Sequence, residues 1–325
     1  MMKWIKWLGL AAVLICLWLF VRATDFSAVG ILLRKTGLRF GYLIGITLVA
    51  YVFGTLSWWY CLGEYRKSVS IYQLFVVRHI GETLSLVNPT SIIAGETAKV
   101  FLLKNNGIER PVVIASILIS RLLLIISQLT LLVGVLIPFL YSRDLLTFNR
   151  FYIWAVAAIL LIAGICLLLY RQTVNAQWML NIKRKLSAVT ISWRQLTTYS
   201  GKATGLAFLF ALLHWICGAL EFYLIIRFLG FNVSLIRGLL VDLGVVVFKS
   251  AGAFVPGQLG VEEYGNKTMI AVIGIQSTTL WVAASILRRS RQLFWIIIGC
   301  CAWMLVQVTA KLTDKKRNGN FIYKS

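Results

Sequence analysis

Acids are scarce in this chain of 325 residues: 11 Asp and Glu stand against 33 Lys and Arg, with only 2 His. With so few of them, and no acid cluster suited to metal-assisted phosphoryl chemistry, an enzyme acting on lipid-linked sugar or phosphate is disfavoured. No Gly-rich nucleotide loop or ATP-binding motif occurs, so coupling to protons, to an ion gradient or to nothing stays open. The 6 cysteines lie at 16, 61, 166, 217, 300 and 301, mostly inside apolar stretches and without metal-ligand spacing. They are expected to be buried thiols, and neither a metal nor a cofactor is expected. Charge of any sign is rare too, at 14% of residues.

What the chain has in excess is apolar surface. It is 59% hydrophobic with a mean hydropathy of +0.83, more than a soluble domain of this length can bury. The expected fold is therefore an all-α polytopic membrane protein, one integral domain over 1–325. The net charge of +22 would suggest nucleic acid in a soluble chain. Here much of the excess falls in loops between apolar spans, as the positive-inside rule requires.

Six full spans are expected, at about 3–21, 40–62, 111–140, 151–170, 203–229 and 278–308. The first resembles a signal peptide, but Arg22-Ala23-Thr24-Asp25 is a poor cleavage site, so it is read as a retained helix. The second ends in Trp58-Trp59-Tyr60, an expected aromatic belt. Residues 171–202 carry Arg171, Lys183, Arg184, Lys185, Arg194 and Lys202 and no acid, and the tail adds Lys311, Lys315, Lys316, Arg317 and Lys324. Both segments, and hence both termini, are expected in the cytoplasm.

Two apolar regions, about 70–104 and 235–275, are interrupted. The second contains Gly252-Ala253-Phe254-Val255-Pro256-Gly257-Gln258-Leu259-Gly260-Val261-Glu262-Glu263, and the first Asn88-Pro89-Thr90-Ser91-Ile92-Ile93-Ala94-Gly95-Glu96. Broken backbone and ionised groups survive at membrane depth only where protein buries them or where they line a cavity. Re-entrant pairs of half-helices are expected at both places. Pro89 and Pro256 stand 167 residues apart, and the same offset joins Leu62-Gly63 to Leu229-Gly230 and Arg121 to Arg288. This predicts an internal repeat, unit one about 40–141 and unit two about 203–308. An odd number of crossings between the units makes it an inverted one.

Arg121 lies ten residues past Pro111 and Arg288 ten past Thr278, so each sits ~15 Å along its helix, near the centre of a ~30 Å core. Arginines at that depth need partners or water. Candidate partners are Glu96, Glu262 and Glu263. Two roles stay open: a salt-bridge network that locks the hairpins, or guanidiniums available to an anionic ligand, whose phosphate oxygens suit the planar fork. Half-helices starting after Pro89 and Pro256 would add backbone N–H groups. Arg78 and Glu82, spaced i, i+4 beside His79, are expected to form a local ion pair. Lys249 and Asp242 share a helical face and either line the cavity or neutralise each other. Glu221 and His214 are expected as a satisfied interior pair. Asn88 and Gln258, near the hairpin tips, either meet a headgroup or cap a broken helix.

The Pro89…Gly95-Glu96…Lys99 segment, the arginine in the next helix and Pro256-Gly257-Gln258-Leu259-Gly260-Val261-Glu262 resemble the lysylphosphatidylglycerol synthase transmembrane family, over roughly 10–310. That family includes the flippase-like membrane module of the multiple peptide resistance factor. The resemblance implies a bacterial or archaeal cytoplasmic-membrane protein that moves, or helps move, a charged lipid between leaflets. Gln258 stands where the family often has a second glycine, and a soluble aminoacyl-transferase domain is not expected in this chain. Three function classes follow: a lipid translocase, an integral-membrane enzyme, and a non-transporting scaffold for an envelope-lipid synthase. The expected partner is a membrane lipid with a phosphate headgroup.

Overall fold

The helices come in two series with the same order. A computed structural model describes residues 36–87, 92–103, 107–141, 201–252 and 260–322, with Ile31, Arg34 and Gln258 beside them. The first series is α1 (Arg39–Cys61), α2 (Ile71–Val87), α3 (Ile92–Leu102) and α4 (Arg110–Tyr141), with a 3-10 turn Gly63–Ser68 after α1. The second is α5 (Gly201–Phe228), α6 (Leu235–Ala251), α7 (Val261–Val272) and α8 (Thr278–Ile322). Among the described residues, four helices are long and apolar enough to cross a membrane: α1, α4, α5 and α8 as far as Val308. They coincide with the second, third, fifth and sixth expected spans. The other two expected spans, the loop 171–200, Asn88, Pro89, Pro256 and Gly257 lie outside the described residues.

The offset seen in the sequence has a backbone cause. Gly63 and Gly230 have φ of 59° and 91°, and Gly107 and Gly274 have 71° and 92°. Each pair is 167 residues apart. The first member of each series, a long helix, stops at a Leu-Gly step whose glycine takes the left-handed conformation that other residues resist. The second glycine of each series makes the turn before the last long helix. Repetition at these points therefore reflects helix ends, where φ is positive, as well as the buried arginines.

Between long helices come short ones. α2 and α6 have 17 residues each, α3 has 11 and α7 has 12. At 1.5 Å per residue the second arm of each pair reaches only about 16–18 Å. α2 packs on α3, and α6 on α7. The first pair crosses where Gly81 and Gly95 touch: a Cβ on Gly95 would collide with the Gly81 carbonyl, so neither position has room for a side chain.

Two apolar clusters fix the directions of the helices. One holds Leu43, Phe139, Phe222, Ile225, Leu243, Ile270 and Leu287; the other holds Trp58, Leu62, Leu74, Leu103, Val113 and Ala207. α1 begins in the former and ends in the latter, whereas α5 begins in the latter and ends in the former. The two helices lie side by side and run in opposite directions. α2 starts and α3 finishes beside the second cluster, while α6 starts and α7 finishes beside the first. The halves also interlock: α4 packs on α6 and α8 on α2, where the backbone of Gly299 meets Thr83.

One expectation for the surface is corrected here. Trp58 is no part of a lipid-facing belt; it is 3% exposed and donates its indole N–H to Ser116 Oγ at 3.1 Å. Its ring instead lies 5.7 Å from the Lys99 ammonium, a cation–π contact inside the fold. Trp59 keeps to the helix end, donating to the Arg66 and Val69 carbonyls.

Candidate functional site

Between the two apolar clusters lies a polar layer at mid-height of the long helices. Six of the eleven acids of the chain are in it, and each forms an ion pair with a Lys or Arg. A charge in this layer has no bulk water to screen it, so pairing is what makes its burial tolerable.

In the first series Arg121 of α4 reaches across to both arms of the α2–α3 pair. Its Nε donates to Glu96 Oε1 at 2.8 Å and its Nη2 to Glu82 Oε1 at 2.9 Å. Lys99 holds the same two carboxylates, at 3.0 Å from Glu82 and 3.1 Å from Glu96. Two cations thus share two acids, and either can leave one carboxylate without stranding it. The Arg121 side chain keeps 36% of its surface exposed. The i, i+4 pair expected between Arg78 and Glu82 does not form, because Glu82 turns to Lys99 and Arg121. Arg78 turns to α1 and donates to the Tyr51 carbonyl at 3.1 Å.

In the second series the equivalent arginine is closed in. Arg288 of α8 lies between Asp242 of α6, at 2.5 Å, and Glu262 of α7, at 2.8 Å, over the Phe222 ring at 5.0 Å. Its side chain is only 6% exposed. Lys249 approaches Glu262 from the other side, at 3.4 Å. Lys249 and Asp242 therefore do not neutralise each other directly; Arg288 and Glu262 stand between them. Arg289 pairs with Glu263, which also accepts from the Gly260 N–H at 2.8 Å and so caps the start of α7. Arg291 pairs with Glu221 at 2.7 Å, and His214 bonds the Ala50 carbonyl at 2.7 Å. Glu221 and His214 each have a partner, but not one another.

A cavity of about 410 Å³ opens between the two series. Four cations line it, Arg78, Arg121, Lys249 and Arg291, against one acid, Glu82. Tyr51, Gln128, His214, Trp215, Ser250 and Gln292 complete its polar wall, and Leu86, Leu124, Ile125 and Val246 form its apolar part. Tyr51, Arg121, His214 and Arg291 stand 11–13 residues into their helices, or about 16–20 Å. That depth matches the centre of a ~30 Å hydrocarbon core. Of the matched arginines only Arg121 reaches the cavity; Arg288 lies behind it, and Arg291, one turn further along α8, takes the wall position. Adjacent arginines in a helix point in different directions, so spacing alone could not tell which of 288, 289 and 291 faces inward.

Gln258 explains a departure noted in the sequence. It has φ 53°, the left-handed conformation, where glycine carries no Cβ penalty. Its side chain lies 3.4 Å from the Lys249 carbonyl, which ties the second hairpin's tip to the end of α6. Gln258→Gly should leave the fold intact and stabilise it by no more than about 1 kcal/mol, the strain relieved less the entropy lost. A thermal melt of the purified protein checks this; a drop of several degrees would mean that the side-chain bond outweighs the strain.

No curated protein and no solved structure matches the chain. The model of the family described as the lysylphosphatidylglycerol synthase TM region matches residues 6–299, which include α1 to α7 and Arg288, Arg289 and Arg291 of α8. By that match, the chain belongs to the lysylphosphatidylglycerol synthase transmembrane family.

Proposed function

We propose that the chain is a flippase-like transporter that moves, or assists the movement of, a charged-headgroup phospholipid or lipid-linked envelope precursor between leaflets of the cytoplasmic membrane. The observation that carries this reading is the cation-lined cavity at mid-height between the two helix series. A headgroup crossing a bilayer needs a polar station at that depth, and four cations around open volume would supply one.

The two series are read as an inverted repeat, and the α2–α3 and α6–α7 pairs as re-entrant hairpins entering from opposite faces. Antiparallel α1 and α5 support this, as does the return of each hairpin to the cluster where it began. Such halves can rock about a fixed central site and open it to each leaflet in turn. The headgroup would meet Arg121, Lys249 and Arg291, with Gln258 at the tip of the second hairpin. Both termini are assigned to the cytoplasm, where the basic 171–202 loop would face anionic lipid or an envelope-lipid synthase.

One feature favours the scaffold reading for half of the molecule. The Arg288 cluster is closed and balanced, so the second hairpin can be braced without any ligand. Reconstitution separates the two. Proteoliposomes holding the full chain should exchange a fluorescent anionic phospholipid between leaflets faster than protein-free liposomes. Exchange at the protein-free rate, across anionic, zwitterionic and lipid-linked precursors alike, would leave the scaffold.

A further inference from the structure

Among the described residues, one buried cation of the polar layer is in no short ion pair. Among the described residues, the nine short ion pairs join six acids to six bases: Glu82, Glu96, Glu221, Asp242, Glu262 and Glu263 to Lys99, Arg121, Lys249, Arg288, Arg289 and Arg291. Arg78 is the seventh base. It is 7% exposed, it is in no such pair, and the Tyr51 carbonyl is the only hydrogen-bond acceptor of its guanidinium among the described residues. A guanidinium has five N–H donors, so most of its capacity is unused. The group is held in place: it lies flat on the bare backbone of Gly54, where a Cβ would come within 2.5–2.7 Å of its Cζ and both terminal nitrogens. It also lines the central cavity.

We infer that the cavity takes a headgroup of one net negative charge, a phosphodiester with no accompanying ammonium, and that Arg78 is the residue whose charge it balances. This rests on the transport reading of the same cavity and narrows its substrate class. With a monoanion bound, seven acidic charges face seven basic ones in a layer with little solvent. A diphosphate-linked headgroup overfills that balance. A zwitterionic or aminoacylated headgroup leaves Arg78 uncompensated and brings an ammonium beside four cations. Arg121 can turn to the same phosphate, because Lys99 stays on both of its carboxylates.

Binding to the purified full chain in detergent tests this, read by native mass spectrometry with phosphatidylglycerol, phosphatidylethanolamine, a polyprenyl diphosphate and water-soluble glycerophosphoglycerol. Phosphatidylglycerol is expected to bind about tenfold or more tighter than the zwitterion and the diphosphate, the scale of one charge-assisted contact. Arg78→Gln should remove that preference while the ligand-free melting temperature stays level or rises, since it deletes an unpaired charge. Gly54→Ala, which leaves every charge in place but displaces the guanidinium, should lower the affinity in the same direction. Glycerophosphoglycerol is expected not to compete; competition at equal concentration would keep the charge class and overturn the lipid as its source. Equal binding of all three lipids, tighter binding of the diphosphate, or a lowered melting temperature for ligand-free Arg78→Gln each overturns the inference. If the monoanion preference is missing while the chain still accelerates lipid exchange, this inference fails and the transport reading stands. If the preference is present but no lipid exchanges, the reverse holds.

Discussion

Arg288→Leu is expected to yield little folded protein. The arginine lies between Asp242 and Glu262 with both partners as buried as itself, so its removal strands two carboxylates away from water. Breaking a buried pair on one side costs about 3–5 kcal/mol, a large share of the roughly 5–15 kcal/mol that holds a typical fold. Lys249 can neutralise Glu262 in part, but none of its ion pairs reaches Asp242. The double variant Asp242→Asn/Arg288→Gln removes one charge of each sign and should recover half or more of the lost stability. Thermal melts of the three proteins in one detergent decide the matter. A single variant that melts with the wild type would mean that the cluster does not brace the second hairpin, and that Arg288 is free for another role.

Arg121→Lys is expected to do the opposite: lose transport and keep the fold. Lysine preserves the charge but not the fork that spans Glu82 and Glu96, and Lys99 remains to hold both acids. One lost charge-assisted hydrogen bond to a phosphate is worth about 1.5–3 kcal/mol, or roughly ten- to hundredfold in lipid exchange. The melting temperature should move by a few degrees at most. Measured together, the two quantities separate the roles: equal losses in both would make Arg121 a brace like Arg288, and normal exchange would remove it from the site. Arg288→Lys, measured alongside, should fail by stability first, because the wall position on α8 belongs to Arg291.

The contrast between these arginines shows how little of the electrostatics the 167-residue offset fixes. Glu96 and Glu263 are equivalent by the offset, yet one pairs with Arg121 and the other with Arg289, one residue beyond Arg288. Gly95, equivalent to Glu262, has no room for a side chain at all. Glu82 and Lys249 occupy matching positions with opposite charge. Each hairpin thus joins one acid and one base across its arms, but with the signs exchanged: Lys99 to Glu82 in the first, Lys249 to Glu262 in the second. The helix order recurs while the electrostatics do not, and of the two offset-matched arginines only Arg121 keeps a partly exposed side chain.

Much was legible from the chain alone, because hydropathy and broken backbone are local properties. A run of apolar residues long enough to cross a bilayer is visible without its neighbours, and the four described spans begin and end within a few residues of where hydropathy places them. Pro, Gly and adjacent acids inside apolar regions marked both short-helix pairs for the same reason. The matched Leu-Gly steps marked helix ends, since positive φ is a requirement of a single residue. The acids themselves announced the polar layer, because an ionised group at that depth needs a partner. Which partner it finds is decided by the tertiary structure. Arg78 lies four residues from Glu82 and still bonds to α1, because α3 and α4 bring two cations to that carboxylate first. Trp58 turns inward to Ser116, and Arg291 rather than Arg288 meets the cavity, for the same reason. Direction across a helix bundle depends on how α2, α4, α6 and α8 interlock, and no spacing along one helix contains that information.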